Sequence, residues 1–394
     1  MNMREYTVGD CFYQIRNGAN IKQGDAAGGY PITRIETTAN DTFNRDRMGY
    51  AGITDLSKYE GFVLEDGDLL MSHINSVQYL GRTVLYRKQG DETIIHGMNL
   101  LSLKANREIF LPEFAQYSFR SVPFKKQLSQ ITKKSVNQAS FTVADLKKIV
   151  LSVPSLNEQK VIVQKLDKCR SIVAKRQQQL SALDDLIKAR FVEMFGDETN
   201  PYQWPVVNVE DVANVSVGVV IKPAQYYTDA EHGVKAFRSL NIGAGTIKDS
   251  DWVYFSHEGN DKNYKSQLRE NDLLVVRSGA PGTACVVPKI YEGCNAIDII
   301  IARPEIDKVN PHYLCTYTNL PHGKRQIDEG TGGAAQQHFN VGKYNKLQLM
   351  LPPLKQQNEF VNFLEQIDKS KSVIQKSLDE TQLLFDSLMQ QYFG

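Results

Sequence analysis

The chain has 394 residues, 41% of them hydrophobic and 9% aromatic, with a formal net charge of +1. That is apolar content enough for two or three cores, while near-neutrality excludes a chain that clings to nucleic acid over its whole surface. No apolar run approaches the roughly 18 residues that span a bilayer and Met1 to Asp10 is too charged for a secretory leader, so the expected location is the cytoplasm.

In chain order, residues 1–150 form a strand-rich mixed body. Gly67-Asp68-Leu69-Leu70-Met71 reads as a short strand leaving a turn. From Arg120 to Lys134 the chain carries Arg120, Lys125, Lys126, Lys133 and Lys134 with no acidic residue, interleaved with Phe119 and Phe124. Phosphate binding requires such a local positive patch; a solvated basic helix face is the plainer alternative.

Residues 151–198 read as one long helix. Ser155 and Glu158 form a capping box at its start, and Gly196 followed by Pro201 marks its stop. Apolar residues at Ile162, Leu166, Cys169, Val173, Leu180, Leu183, Ile187 and Met194 follow alternating steps of four and three, the seam of a coiled coil, interrupted by Arg176 and Arg190. About 38 residues of helix reach about 57 Å.

A second body, 199–350, repeats signals of the first. Val209-Glu210-Asp211 matches Val8-Gly9-Asp10, and Asn271-Asp272-Leu273-Leu274-Val275-Val276 matches the strand at Leu69. A second long helix fills 351–394. Its seam is Phe360, Leu364, Ile367, Ile374, Leu378, Phe385, Leu388 and Tyr392, interrupted by Lys371 and Thr381, and Pro352-Pro353 presets its start.

Residues 141–196 return without a gap as 339–394, 198 positions later. Phe141 matches Phe339, Pro154 Pro352, Leu156 Leu354, Gln159 Gln357, Leu166 Leu364, Leu180 Leu378, Leu186 Leu384, and Phe195-Gly196 Phe393-Gly394. The period is far too long for a solenoid. The expected fold class is α+β: two strand-rich mixed α/β bodies separated by two long antiparallel coiled-coil helices, related by a pseudo-two-fold internal repeat.

Catalytic signals are missing from the sequence. Leu351-Pro352-Pro353-Leu354 lacks the polar first and aromatic last residue of an adenine methyltransferase tetrapeptide, and no phosphate-loop, zinc-protease or serine-elbow motif occurs. The seven histidines (His73, His96, His232, His257, His312, His322, His338) show no ligand spacing, and Cys11, Cys169, Cys285, Cys294 and Cys315 read as reduced, mostly buried thiols. The glycine stretch from Gly330 follows Ile327-Asp328-Glu329 rather than an apolar strand, which argues against a dinucleotide site. The chain is expected to hold no catalytic residue, metal or cofactor.

Leu151-x-Val153-Pro154-x-Leu156-x-Glu158-Gln159 and Leu349-x-Leu351-Pro352-Pro353-Leu354-x-Gln356-Gln357, each leading into a long helix, carry a resemblance to a known family. Trp204-Pro205-x-Val207-x-Val209, Phe141 and Phe339 extend it. Over essentially its whole length the chain resembles the specificity subunit of type I restriction-modification systems. The resemblance implies a DNA-reading adaptor of the prokaryotic cytoplasm, with 1–150 and 199–350 as target recognition domains that each read one half of a split, asymmetric site on double-stranded DNA. It implies that helices 151–198 and 351–394 set the unread spacer and dock two modification subunits, which methylate adenine, and that ATP-driven restriction subunits join them. S-adenosylmethionine, ATP and magnesium would belong to those partners. Gln356 departs from the pattern, since glutamate is common there.

Arg suits guanine edges and Asn or Gln suits adenine. Candidate DNA-binding residues are therefore Arg34, Arg45, Arg47, His73, Asn75, Arg82, Lys133, Lys134, Asn137 and Gln138 in the first body. In the second they are Arg238, Asn241, Arg277, Ser278, Lys324, Arg325, Gln336 and Gln337. A rival reading is a non-enzymatic interaction scaffold, two modules on a coiled-coil stalk that bind protein or glycan. Salt titration separates the two, because DNA binding weakens steeply as salt rises.

Overall fold

The computed structural model describes residues 3–24, 28–136, 138–331 and 339–394. The chain divides into two compact units, Met1–Gln177 with Lys376–Gly394, and Gln178–Gln375. Both divisions fall inside a long helix, so each unit owns one end of each.

The first unit runs β1 (Arg4–Thr7), β2 (Phe12–Asn17), β3 (Leu69–Ser72), β4 (Ile74–Asn75), β5 (Thr83–Leu85), β6 (Leu100–Ala105), α1 (Pro112–Ser118), α2 (Val122–Ile131), β7 (Lys133–Lys134), β8 (Ala139–Ser140), β9 (Val150–Val153) and the first part of α3 (Leu156–Phe195). Strands β2, β6, β3 and β5 form an antiparallel sheet in that order. Strands β3 and β6 are buried along their whole length, β3 as the apolar run Leu69-Leu70-Met71 and β6 with Ser102 and Lys104 buried among its leucines. Phe12, Phe110, Phe114, Phe119 and Phe124 fill one face, and Leu70, Val84, Tyr86 and Leu100 the other. In the sequence Phe119 and Phe124 are interleaved with the basic residues of the candidate phosphate-binding run. They are core residues, 2% and 1% exposed, with ring centroids 4.6 Å apart. The lysines beside them, Lys125 and Lys126, are exposed on α2.

The second unit repeats this frame with β10 (Val206–Asn208), β11 (Ala213–Val217), β12 (Leu273–Val276), β13 (Ala284–Val286), β14 (Ile299–Pro304), α4 (Pro311–Asn319), α5 (Pro321–Thr331), β15 (Gln348–Met350) and the first part of α6 (Leu354–Phe393). Its sheet order, β11, β14, β12, β13, is the same. Strands β1 and β9 pair in the first unit as β10 and β15 pair in the second. The aspartates before the Leu-Leu strands do the same work in both: Asp68 accepts from the Glu65 amide at 2.9 Å and Asp272 from the Arg269 amide at 2.8 Å. Each meets a cation from the neighbouring strand, Lys104 at 3.5 Å and Arg303 at 2.7 Å. The units differ in their insertions. The second carries a further four-stranded sheet of Tyr227–Thr228, Val253–Ser256, Gly233–Phe237 and Asn295–Ala296.

Helix α3 begins as its sequence demands. Ser155 N and Oγ donate to Glu158 Oε2 at 3.1 and 2.8 Å, and Glu158 N donates back to Ser155 Oγ at 3.4 Å. It ends at Gly196, whose φ of +84° would be strained with a side chain and whose Cβ would meet Pro201 at 2.4 Å. Helix α6 lacks the capping box. Pro353 has no N–H for Gln356 to accept, and the buried Gln356 Oε1 finds no donor among the described residues.

Within the first unit, Ile162 and Leu166 share a core with Phe385, Leu388 and Tyr392, and Lys165 Nζ donates to Tyr392 Oη at 3.1 Å. Within the second, Asp184 meets Lys371, and farther along α3 Phe191 meets Phe360, which lies earlier in α6. The helices are therefore antiparallel. Ile162, Leu166, Cys169, Phe360, Leu364, Ile367 and Tyr392 are buried, and Val173, Leu180, Leu183, Ile187, Met194, Ile374, Leu378, Phe385 and Leu388 are half-buried. Phe191 and Phe195, off the seam, are fully buried because they turn into the second unit's core, against Tyr313.

Each helix start is locked to its body by one fully buried glutamine. Gln159 Oε1 accepts from Leu111 N at 2.9 Å while its Nε2 donates to Ile109 O at 2.8 Å and Pro154 O at 2.9 Å. Gln357 matches it, accepting from Asn310 N at 2.8 Å and donating to Pro352 O at 2.7 Å and Lys308 O at 3.5 Å. Replacing Gln159 by leucine keeps the bulk but strands three buried backbone groups. A loss of about 2–3 kcal/mol is expected in denaturant unfolding, with amide exchange accelerated at Leu111.

Candidate nucleic-acid interface

Strand β8 pairs with β4 on one side and β7 on the other, and the Phe141 amide donates to His73 O at 3.3 Å. This small sheet collects Asn75, Lys133, Lys134 and Gln138 from distant parts of the first body. Ser135 closes the β7–β8 turn through its amide and hydroxyl, both donating to Gln138 O, at 2.8 and 2.9 Å. Lys133, Lys134 and Gln138 are exposed, and Val136 in the turn is 99% exposed. The DNA major groove has room for a two-stranded antiparallel ribbon such as β7–β8. Asn137 lies outside the described residues.

The other first-body candidates divide by environment. Arg82 lies 4.4 Å from the centroid of the Tyr79 ring and pairs with Asp41 at 3.3 Å. Arg34 Nε donates to Gln23 Oε1 at 2.9 Å and its Nη2 to Gly24 O at 3.0 Å. Arg47 is exposed. Arg45 is a brace rather than a reader: it grips Glu92 through two bonds of 2.8 and 2.5 Å and holds that carboxyl's pKa down at about 2. His73 is buried, burial lowers its pKa, and its Nδ1 has no partner among the described residues.

In the second body, Arg277 continues from β12 where His73 continues from β3, and its carbonyl receives the Phe339 amide at 3.0 Å. Its guanidinium pairs with Asp298, and its Nε donates to Phe339 O at 3.2 Å. Ser278 beside it is half-buried. Arg238 donates to Asp251 O and sits at the start of a turn as Arg34 does. Asn241 is fully buried. It accepts from Arg238 N at 2.9 Å and donates to Ser250 O at 2.7 Å, so it holds that turn together and offers no free group to a base. Lys324 donates to Pro281 O at 2.9 Å, and burial lowers its pKa. Arg325 is exposed and pairs with Glu198. Gln336 and Gln337 lie outside the described residues. Sequence reading missed Asp41, Tyr79 and Asp298, which aim the arginines; only folding brings them together.

No group of His, Cys, Asp and Glu among the described residues could hold a metal ion, and no described helix is long and apolar enough to cross a membrane. The five cysteines are free and buried, and burial raises the thiols of Cys11 and Cys285 to about 12.

One ionisable group under the first interface gives a pH signature. His96 is buried, with Nε2 2.8 Å from Leu100 O, and burial lowers its pKa to about 4. The folded chain thus keeps it neutral while the unfolded chain takes up a proton near pH 6.5. Stability is full above that value and falls as pH drops from about 6.5 to about 4, by on the order of 3 kcal/mol. Urea unfolding at these two pH values should show the loss, and His96→Gln should shrink it.

A family model described as "Type I restriction modification DNA specificity domain" matches residues 2–182 and again 201–381. The chain is 27% identical over 389 residues to the type I restriction enzyme MjaX specificity subunit of Methanocaldococcus jannaschii, covering 94% of this chain and 88% of that one. It is 22% identical to the EcoKI specificity subunit of Escherichia coli over 57% of this chain and 49% of that protein. Among solved structures, the S subunit of a type I system from M. genitalium superposes with a TM-score of 0.59 at 12% identity, covering 100% of this chain and 96% of that one. A chain from a study of complex assembly and conformational transition of the type I R-M system gives 0.56 at 18% identity, covering 99% and 97%.

Proposed function

Since the chain belongs to the type I restriction-modification DNA specificity family, we propose that each unit reads its own half of a bipartite, asymmetric site on double-stranded DNA. The chain is a non-catalytic specificity subunit with two target recognition domains. The observation that carries the reading is the double match of the family domain to two units that share one sheet order but differ in their insertions. A common frame with different loops suits two different half-sites.

Residues 1–150 and 199–350 are the reading bodies. In the first, the β7–β8 ribbon enters the major groove, with Lys133 and Lys134 on phosphates and Gln138 on a base edge; Arg82, aimed by Tyr79 and Asp41, and the exposed Arg47 flank it. In the second, Arg277 and Arg325 are the leading contacts. Helices 151–198 and 351–394 act as the spacer. Half-sites one turn of B-DNA apart lie about 34 Å from each other, within reach of bodies carried by helices of about 60 Å.

The same helices dock two adenine methyltransferase subunits. Leu186 and Leu384 occupy matching positions of the repeat and stand 45% and 52% exposed, an apolar handle in each unit. S-adenosylmethionine is bound by those partners, and ATP-dependent restriction subunits complete the assembly.

Four residues inserted after Gln179 lengthen α3 by about one turn. Methylation sequencing should then report an unread gap longer by about one base pair or more; an unchanged gap counts against the spacer role. Leu186→Asp and Leu384→Asp should each weaken capture of one methyltransferase subunit, read as a change in complex mass.

A further inference from the structure

The two units share a second short motif that lies outside the candidate DNA-binding residues. Gly18-Ala19-Asn20-Ile21-Lys22 directly follows β2, and Gly218-Val219-Val220-Ile221-Lys222, 200 positions on, directly follows β11. Both segments make a matching crossing of a neighbouring strand, although only Lys222 is left-handed beyond it. Ala19 N donates to His96 O at 2.7 Å and Val219 N to Ala296 O at 2.8 Å, while Ala19 bridges Gly97 and Val219 bridges Ile297 in parallel. A Cβ on Gly18 would come within 2.2 Å of Gly97 O, and one on Gly218 within 2.2 Å of Ala296 O. Only glycine lets the chain pass so close. Beyond each crossing comes an exposed lysine, Lys22 and Lys222, the latter held in the left-handed region at φ +45°. Neither has an ion-pair partner among the described residues.

Each segment is linked through one neighbouring residue to a candidate arginine. Gln23, next to Lys22, accepts from Arg34. The Val219 carbonyl accepts from the Asp298 amide at 3.2 Å, and Asp298 holds Arg277. Side chains that read bases should differ between bodies that read different half-sites. A charged residue kept at one point of both frames serves what the half-sites share, and every stretch of duplex offers the same phosphates.

We infer that the two Gly-x-x-Ile-Lys loops are paired phosphate anchors, in which Lys22 and Lys222 each neutralise one backbone phosphate beside its half-site and set the docking of its body without regard to sequence. The inference rests on the DNA reading proposed above. A lysine suits this task as a compact point charge on a flexible stem.

The test uses the full chain and two labelled duplexes of equal length, one carrying the site found by methylation sequencing and one scrambled, titrated from about 50 to about 200 mM KCl. Lys22→Ala and Lys222→Ala should each reduce the slope of log affinity against log salt by about 0.9, so that each variant loses about threefold less affinity over this range. The effect should be equal on both duplexes and additive in the double variant, and Lys→Arg at either position should restore the slope. Unchanged slopes, a loss confined to the site duplex, or a defect only in capture of the methyltransferase subunits would overturn the anchors. A wild-type slope near zero overturns the DNA reading itself, and the inference with it.

Discussion

The start of each long helix is held to its body by a fully buried glutamine side chain, set in the apolar packing around it. Gln159 and Gln357 answer the backbone groups that the strand end and the next helix start leave open, and each sits within four residues of its helix's first turn. A fully satisfied buried amide makes the joint stiff, because any tilt exposes donors and acceptors that have no water to turn to. The helix far ends are fixed as well, Phe191 and Phe195 by the second unit's core and Tyr392 by the first's.

The polar residues of the bodies divide along the same physical line. Asp68 and Asp272 are buried, repeated in both units and paired with a cation from the neighbouring strand, so they maintain the frame. Arg45 and Asn241 also work inward: one is spent on Glu92, the other on the turn beneath Arg238. Arg82 and Arg277 keep their guanidiniums near the surface but aimed, by Asp41 and Asp298 respectively.

The long helices, their seams, the capping box at Ser155 and the duplication of the whole module were legible from residue spacing alone, because helix periodicity and helix ends are local matters of a few residues. The strands at Leu69 and Leu273 were legible for the same reason, as apolar runs bounded by turns. The sequence also determined that the module occurs twice, which by itself restricts the chain to two similar bodies. What only the tertiary structure decided is which polar residues are free. Phe119 and Phe124 stand among lysines in the sequence but are covered by the sheet, and Asn241 looks like a base reader until its turn closes on it. Whether a side chain faces core or solvent depends on partners tens of residues away, such as Asp41 for Arg82 or Glu92 for Arg45, and no local pattern encodes that separation.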